Sequence, residues 1–238
     1  MGIHMSRTPD NPNVLVLDYS TDRSEAPLFI RWFPEGTRSE ARFVSTGEDI
    51  PEFEGFSHVM HTGSATSICQ DAPFTDAAVD AIRRLSEVGV PQLGVCYGHQ
   101  LLCRALVGPR AVRKTPEGLE AGWCMVIQTG EPPEVPEAGR SFTVLQSHFD
   151  EVVEMPRGSE VVMTGGASRV QGFVNRDLKL FGMQFHPEFD REDGNRLFMG
   201  DPALLADNGI DVQQVLSGGP SIDAGRIFFG HFLRSFSP

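Results

Sequence analysis

At Gln92-Leu93-Gly94-Val95-Cys96-Tyr97 a short apolar strand runs directly into a helix, Tyr97 to Leu106, which Gly108 stops. With no loop between the two elements, the chain must reverse within a residue or two. The residue at that reversal, Cys96, is pushed out of regular backbone with its side chain exposed. Gly94 and Gly98, two before and two after, leave room for so sharp a turn. A strand feeding a helix in this way belongs to a parallel sheet covered by helices on both faces.

The rest of the first half has the same rhythm. Val14-Leu15-Val16-Leu17 is a continuous apolar run, as in a strand buried on both sides, and Ser57 to His61 is a second strand ending at Thr62-Gly63-Ser64. Phe74, Ala78, Ala81, Ile82 and Leu85 recur at helical spacing, with Asp71 or Thr75 as the expected cap and Gly89 as the stop. The second half changes character. Strands are expected at Trp123–Gln128, Phe142–Gln146, Glu160–Met163, Val170–Val174 and Leu178–Gln184, separated by turn residues, as mixed or antiparallel additions to the same sheet. A stretch rich in Gly, Asp and Asn, Asp190 to Gly225, follows. A last helix, Arg226 to Phe236, would dock Ile227, Phe228, Phe232 and Phe236 on the core. With 238 residues, this is one domain, residues 13–238, behind an N-terminal arm, residues 1–12.

Composition narrows the function. The 32 acidic residues outnumber the 20 basic ones, only Lys114 and Lys179 are lysines, and the formal charge is −12. Such a surface repels phosphate backbones and anionic lipid, so neither nucleic acid nor membrane is an expected partner. No apolar run approaches the roughly 18–20 residues that cross a bilayer. Met1-Gly2-Ile3-His4-Met5-Ser6 matches the short myristoylation pattern, but the second methionine makes these residues read as a cloning remnant. Four cysteines are too few for a disulfide scaffold, which points to a reducing, cytoplasmic setting. They and the seven histidines show no metal-ligand spacing, so no metal and no cofactor is expected.

Cys96 gains chemical meaning from its position. The helix it opens aims free N–H groups and a positive dipole end at the thiol, which favours both a thiolate and an oxyanion. Phe185-His186-Pro187-Glu188-Phe189 supplies the complement. Residues i and i+2 of an extended segment face the same way, and Pro187 keeps His186 extended. The Glu188 carboxylate can then fix the imidazole tautomer. A buried structural cysteine and a surface turn are the bland alternatives for each motif alone. Together they form the Cys–His–acid set that thiolate catalysis requires.

These motifs resemble those of the class I, triad-type glutamine amidotransferases. Gly94-Val95-Cys96-Tyr97-Gly98-His99-Gln100 matches the family's G-x-C-x-G-H-Q, and Gln184-Phe185-His186-Pro187-Glu188 its Q-F-H-P-E. Ser147-His148-Phe149-Asp150-Glu151-Val152 is similar to the S-H-x-D-x-V segment of the amidotransferase domain of GMP synthase, and Thr62-Gly63-Ser64 stands where the family has its oxyanion loop. The resemblance implies a flavodoxin-like three-layer α/β/α sandwich with a mainly parallel central sheet. It implies Cys96 as nucleophile, His186 as general base and acid, and Glu188 as its orienting partner. Gly63 and Tyr97 would form the oxyanion hole through their N–H groups, Gln100 would help hold the substrate, and Ser147, His148 and Phe149 would bind its amino-acid head.

The implied activity is hydrolysis of the L-glutamine side-chain amide through a γ-glutamyl thioester, with ammonia passed to a separate synthase subunit. Thr62 and Ser64 depart from the family's usual glycine and proline, and residues 190–225 are an insertion relative to compact members, read as a lid or docking surface. These departures keep two rivals open: a hydrolase of γ-glutamyl peptides, whose plant members carry extra sequence there, and an idle regulatory or binding subunit. Ser217-Gly218-Gly219-Pro220-Ser221 resembles an ATP-pyrophosphatase phosphate loop only superficially. No buried strand precedes it and Pro220 interrupts it, so a plain loop is expected.

Overall fold

The computed structural model describes residues 11–131 and 133–236. The Met1–Ser6 pattern, and the arm before Asn11, lie outside the described residues. Nine strands form one sheet in the order β2 (Arg38–Phe43), β1 (Asn13–Asp18), β3 (His58–His61), β4 (Gln92–Val95), β11 (Leu180–Met183), β10 (Gly172–Asn175), β9 (Glu160–Thr164), β6 (Glu120–Gln128) and β7 (Ser141–His148). The first five run parallel. From β11 onward each neighbour is antiparallel, the expected extension of the same sheet. A separate ribbon pairs β5 (Val112–Lys114) with β8 (Asp150–Val152).

Side-chain alternation along β1 sorts residues between two cores. Val14 and Val16 face α1 (Glu25–Ile30) and α7 (Ala224–Ser235), where Phe29, Phe228, Phe229 and Phe232 are fully buried. Leu15 and Leu17 face α2 (Thr75–Glu87) and α3 (Tyr97–Val107), through Ala78, Ile82, Leu85, Leu101 and Leu102. The result is the three-layer sandwich. Gly89, at φ 72°, follows the end of α2, but neither Asp71 nor Thr75 caps its start. Thr75 Oγ1 instead accepts from Ala72 N at 2.9 Å, and Asp71 pairs with Arg104. The expected stop is therefore in place, and the expected side-chain cap is not.

Residues 190–225 are largely helical: α4 (Arg191–Gly200), α5 (Pro202–Asp207) and α6 (Val212–Ser217). They close a third cluster, in which Phe198, Leu205 and Val215 pack on Leu145 of β7 and on Phe189. Residues 218–221 are loop, as expected.

Candidate active site

The parallel strands end together, and their carboxyl ends deliver the site. At the end of β4, Cys96 has φ 49° and ψ −105°, a conformation a side chain rarely adopts. The surroundings hold it there. Its N–H donates to Met183 O of β11 at 2.8 Å, and its carbonyl accepts from Gln100 N at 3.0 Å. A Cβ on Gly94 would lie 2.5 Å from the Gly98 carbonyl, and one on Gly98 would fall onto the His61 carbonyl. Both glycines are there because two backbones cross at contact distance. Thr62, at the end of β3, ties the neighbouring loop down: its carbonyl accepts from Gly98 N at 3.0 Å, and its hydroxyl oxygen from Tyr19 N at 2.9 Å. Among the described residues neither Gly63 N–H nor Tyr97 N–H meets an acceptor.

His186 follows β11 and is clamped to β7, its N–H donating to Leu145 O at 2.9 Å. Phe189 stands edge-on to its ring, with centroids 5.5 Å apart. His186 Nδ1 lies 2.5 Å from Glu188 Oε1, and both side chains are buried. Burial opposes charge on the imidazole, but the Glu188 carboxylate on one side and the Cys96 sulfur on the other outweigh it. They hold the His186 pKa well above its ordinary value. That favours a protonated imidazole between the Glu188 carboxylate and the Cys96 sulfur.

A second carboxyl stands beside this pair. Ligand atoms of Glu25, His186 and Glu188 lie within 4.8 Å of one another. Burial and the Glu188 charge push the Glu25 carboxyl well above the carboxylate range, against the pull of His186. A Cβ on Gly63 would sit 2.9 Å from His186 Cε1 and 3.4 Å from each Glu25 carboxyl oxygen, so the absent side chain makes room for both. The trio has the composition of a metal site. Its imidazole nitrogen already serves Glu188, and burial pushes its third member, Glu25, toward the neutral acid, so it reads as a proton-sharing set.

A cavity of about 280 Å³ opens on Cys96, lined by Gln100, Ser147, His148 and Phe149 among others. The Cys96 sulfur is 3.9 Å from Ser147 O. Gln100 gives its Nε2 to Asp150 O at 2.7 Å and Gln184 Oε1 at 3.0 Å, so only its carbonyl oxygen remains for a ligand. His148 is held between Asp150 O and Glu120, each 3.0 Å away, and Phe149 is a half-exposed rim residue.

The profile of the class-I glutamine amidotransferases matches residues 64–201. The chain belongs to that family. A subunit of the glutamine-hydrolyzing GMP synthase from Sulfolobus acidocaldarius is 33% identical over 149 residues, covering 63% of this chain and 76% of that protein. The GMP synthase of Streptococcus mutans is 30% identical over 186 residues, 77% of this chain but 34% of that longer one. A glutamine amidotransferase structure from Thermotoga maritima superimposes with a TM-score of 0.78 at 22% identity, over 94% of this chain and 96% of the other.

The amidotransferase motifs thus converge, though they lie far apart in sequence. Several supporting residues carried no motif. Arg31 Nη2 and Trp32 Nε1 both donate to Glu188 O, at 2.7 and 2.8 Å, and so anchor the acid's backbone. Lys114 Nζ, 3.5 Å from Asp150 Oδ1, gives the cavity one charge of each sign, as a zwitterionic amino-acid head requires. Glu25, on a six-residue helix after β1, had no signal in its spacing.

Proposed function

We propose that the chain hydrolyses L-glutamine by covalent catalysis on Cys96. The amide carbonyl oxygen sits between the N–H groups of Gly63 and Tyr97, and the Cys96 thiolate attacks the carbonyl carbon. The His186 imidazolium gives its proton to the departing nitrogen, the C–N bond breaks, and ammonia leaves a γ-glutamyl thioester. Neutral His186 then takes a proton from water, the hydroxide displaces the thiolate, and glutamate departs. Glu188 keeps Nδ1 protonated and stabilises the charged imidazole throughout. The observation that carries this reading is the forced backbone at Cys96 beside an imidazole whose other face is taken by a buried carboxylate.

The ammonia would go to a separate synthase chain, a reading supported by the archaeal relative, itself one subunit of a GMP synthase. Four unpaired cysteines accord with a reducing cytoplasm.

An electrophilic glutamine analogue, a diazoketone, tests the assignment. Brief treatment of intact protein should alkylate Cys96 alone. Burial raises the pKa of Cys69, of Cys124 to about 11, and of Cys103 further still. L-Glutamine should slow the labelling, and His186→Ala should slow it strongly. Peptide mapping that finds label spread over all four cysteines, or absent from Cys96, would leave the idle-subunit reading as the better one.

A further inference from the structure

A second cavity, of about 210 Å³, opens on His186. Ser64, Ala65, Ser147 and Leu197 line both cavities and form the partition between them. Cys96 faces the first and His186 the second. In the reaction proposed above, the amino-acid half of the substrate fills the first cavity. His186 protonates the departing nitrogen, so that nitrogen leaves on the second side. Ammonia is about the size of water, whose share of liquid volume is about 30 Å³. The space beyond His186 is several times larger.

Its lining has a definite chemistry. Ser20, Thr21, Ser24 and Asp22 contribute hydroxyls and a carboxylate, and among the described residues no lysine or arginine lines it. The arginines on this side are engaged elsewhere: Arg23 with Glu48, and Arg31 with Asp190 and Asp193. Ser24 Oγ donates to Asp22 Oδ1 at 2.6 Å, which holds that carboxylate in place. Glu25, also in the wall beside Glu188, adds a polar carboxyl that burial pushes toward its neutral form. The first cavity, by contrast, has Lys114 to meet a carboxylate.

The geometry points to a leaving-group subsite: the chain takes γ-glutamyl amides of substituted amines, and the cavity beyond His186 receives an amine bearing an ammonium or hydroxyl tail rather than a carboxylate. This deepens the proposed function and rests on it, since it needs Cys96 and His186 in the stated roles. The chemistry balances as for glutamine. The thiolate forms the C–S bond, the C–N bond breaks, the imidazolium proton passes to the nitrogen, and a free amine R–NH₂ departs in place of ammonia. Water completes the cycle. A carboxylate tail, as in a γ-glutamyl dipeptide, would meet Asp22 with no cation to answer it.

Three probes of similar length separate the cases: the γ-L-glutamyl amides of 1,4-diaminobutane, butylamine and 4-aminobutyrate. Each competes with the diazoketone for Cys96, and glutamate release is measured in parallel. The diamine derivative should protect at about tenfold lower concentration than the 4-aminobutyrate derivative, with butylamine between, and should release glutamate. In Asp22→Asn the ratio between the two charged tails should fall toward one. Equal protection by all three, preference for the carboxylate tail, or protection without glutamate release would overturn the subsite. So would protection by L-glutamine alone, which leaves the glutaminase reading standing. Failure of the analogue to label Cys96 would instead remove both.

Discussion

A methyl group at position 63 would press on the His186 imidazole. The nearest atom to a Cβ there is His186 Cε1, at 2.9 Å, with the Glu25 carboxyl behind it, and the Gly63 backbone needs no left-handed conformation. Gly63→Ala should therefore act on rate: kcat for glutamate release should fall about tenfold or more, with the melting temperature within a degree or two. Gly98→Ala makes the opposite trade. Its Cβ meets the rigid His61 carbonyl, so unfolding should come about 1–3 kcal/mol more easily, read by denaturant titration. A Gly63→Ala protein with unchanged kcat would mean that His186 has slack the packing does not show. At Glu188, replacement by Gln keeps an acceptor near Nδ1 but removes the charge. Turnover should drop by about 10²–10⁴, less than in Cys96→Ala, with the fold intact by circular dichroism. Cys96, His186 and Glu188 were legible because each lies in a local pattern with its own geometric reason. Glu25, Arg31 and Trp32 were not. They reach the site from α1 and the turn after it, some 160 positions before Glu188 in sequence, and their neighbours give no hint of what they will touch.

The helices of residues 190–225 show how composition misleads. The aspartates, glycines and asparagines gave no helical pattern to the reading of an inserted lid or docking surface, yet Asp190, Asp201 and Asp211 each cap a helix. Their side chains accept from Asp193 N, Leu204 N, and both Gln213 N and Gln214 N. Three short helices need three caps, so the polar content is the punctuation of helical structure. β2 escaped notice for a related reason: Arg38–Phe43 is an edge strand, half-exposed and charged, with no apolar alternation to reveal it. The parallel centre was legible because its strands are buried on both faces. The third cluster changes what excision of this segment should do. Leu145 and Phe189 are buried beneath it, and Phe189 backs His186. Replacing 193–221 by a Gly/Ser linker should lower the melting temperature markedly, where a detachable lid would leave it alone. Two side chains of the segment reach the Cys96 cavity. Leu197 and Leu204 line the Cys96 cavity while remaining 44% and 36% exposed, so they add little to stability. Leu197→Ser with Leu204→Ser should raise KM several-fold with the melting temperature nearly unchanged. If KM holds and stability collapses, the two leucines are core and the cavity wall lies elsewhere.

At the scale of the whole molecule, the buried titratable groups give the fold a sloped response to alkali. His186 has a raised pKa in the folded state, so its contribution is complete below the unfolded value of 6.5 and is lost as pH rises above it. Glu25 is also raised: above its unfolded value of 4.5 the unfolded chain releases this proton while the native protein keeps it, so stability again falls as pH rises. Above pH 6.5 the two signs agree, and stability falls as pH rises until the native state releases each proton too. Below pH 6.5 the signs oppose. His61, lowered to about 4, and His99, lowered to about 3, stay neutral in the fold while the unfolded chain protonates, which costs stability as pH falls. Over the same range Glu25 recovers stability. The melting temperature should therefore peak near pH 6.5, falling gently toward pH 5, where the two histidines outweigh Glu25, and falling again as pH rises above 6.5. Glu25→Gln keeps a hydrogen-bond donor toward Glu188 and has no proton to lose, so its decline over that range should be visibly shallower, leaving the part due to His186. Calorimetry of both proteins at matched ionic strength decides it. A wild-type curve flat above pH 6.5, or a variant curve of the same slope, would mean that Glu25 ionises in the fold as freely as in the open chain, and that the second carboxyl beside His186 carries charge.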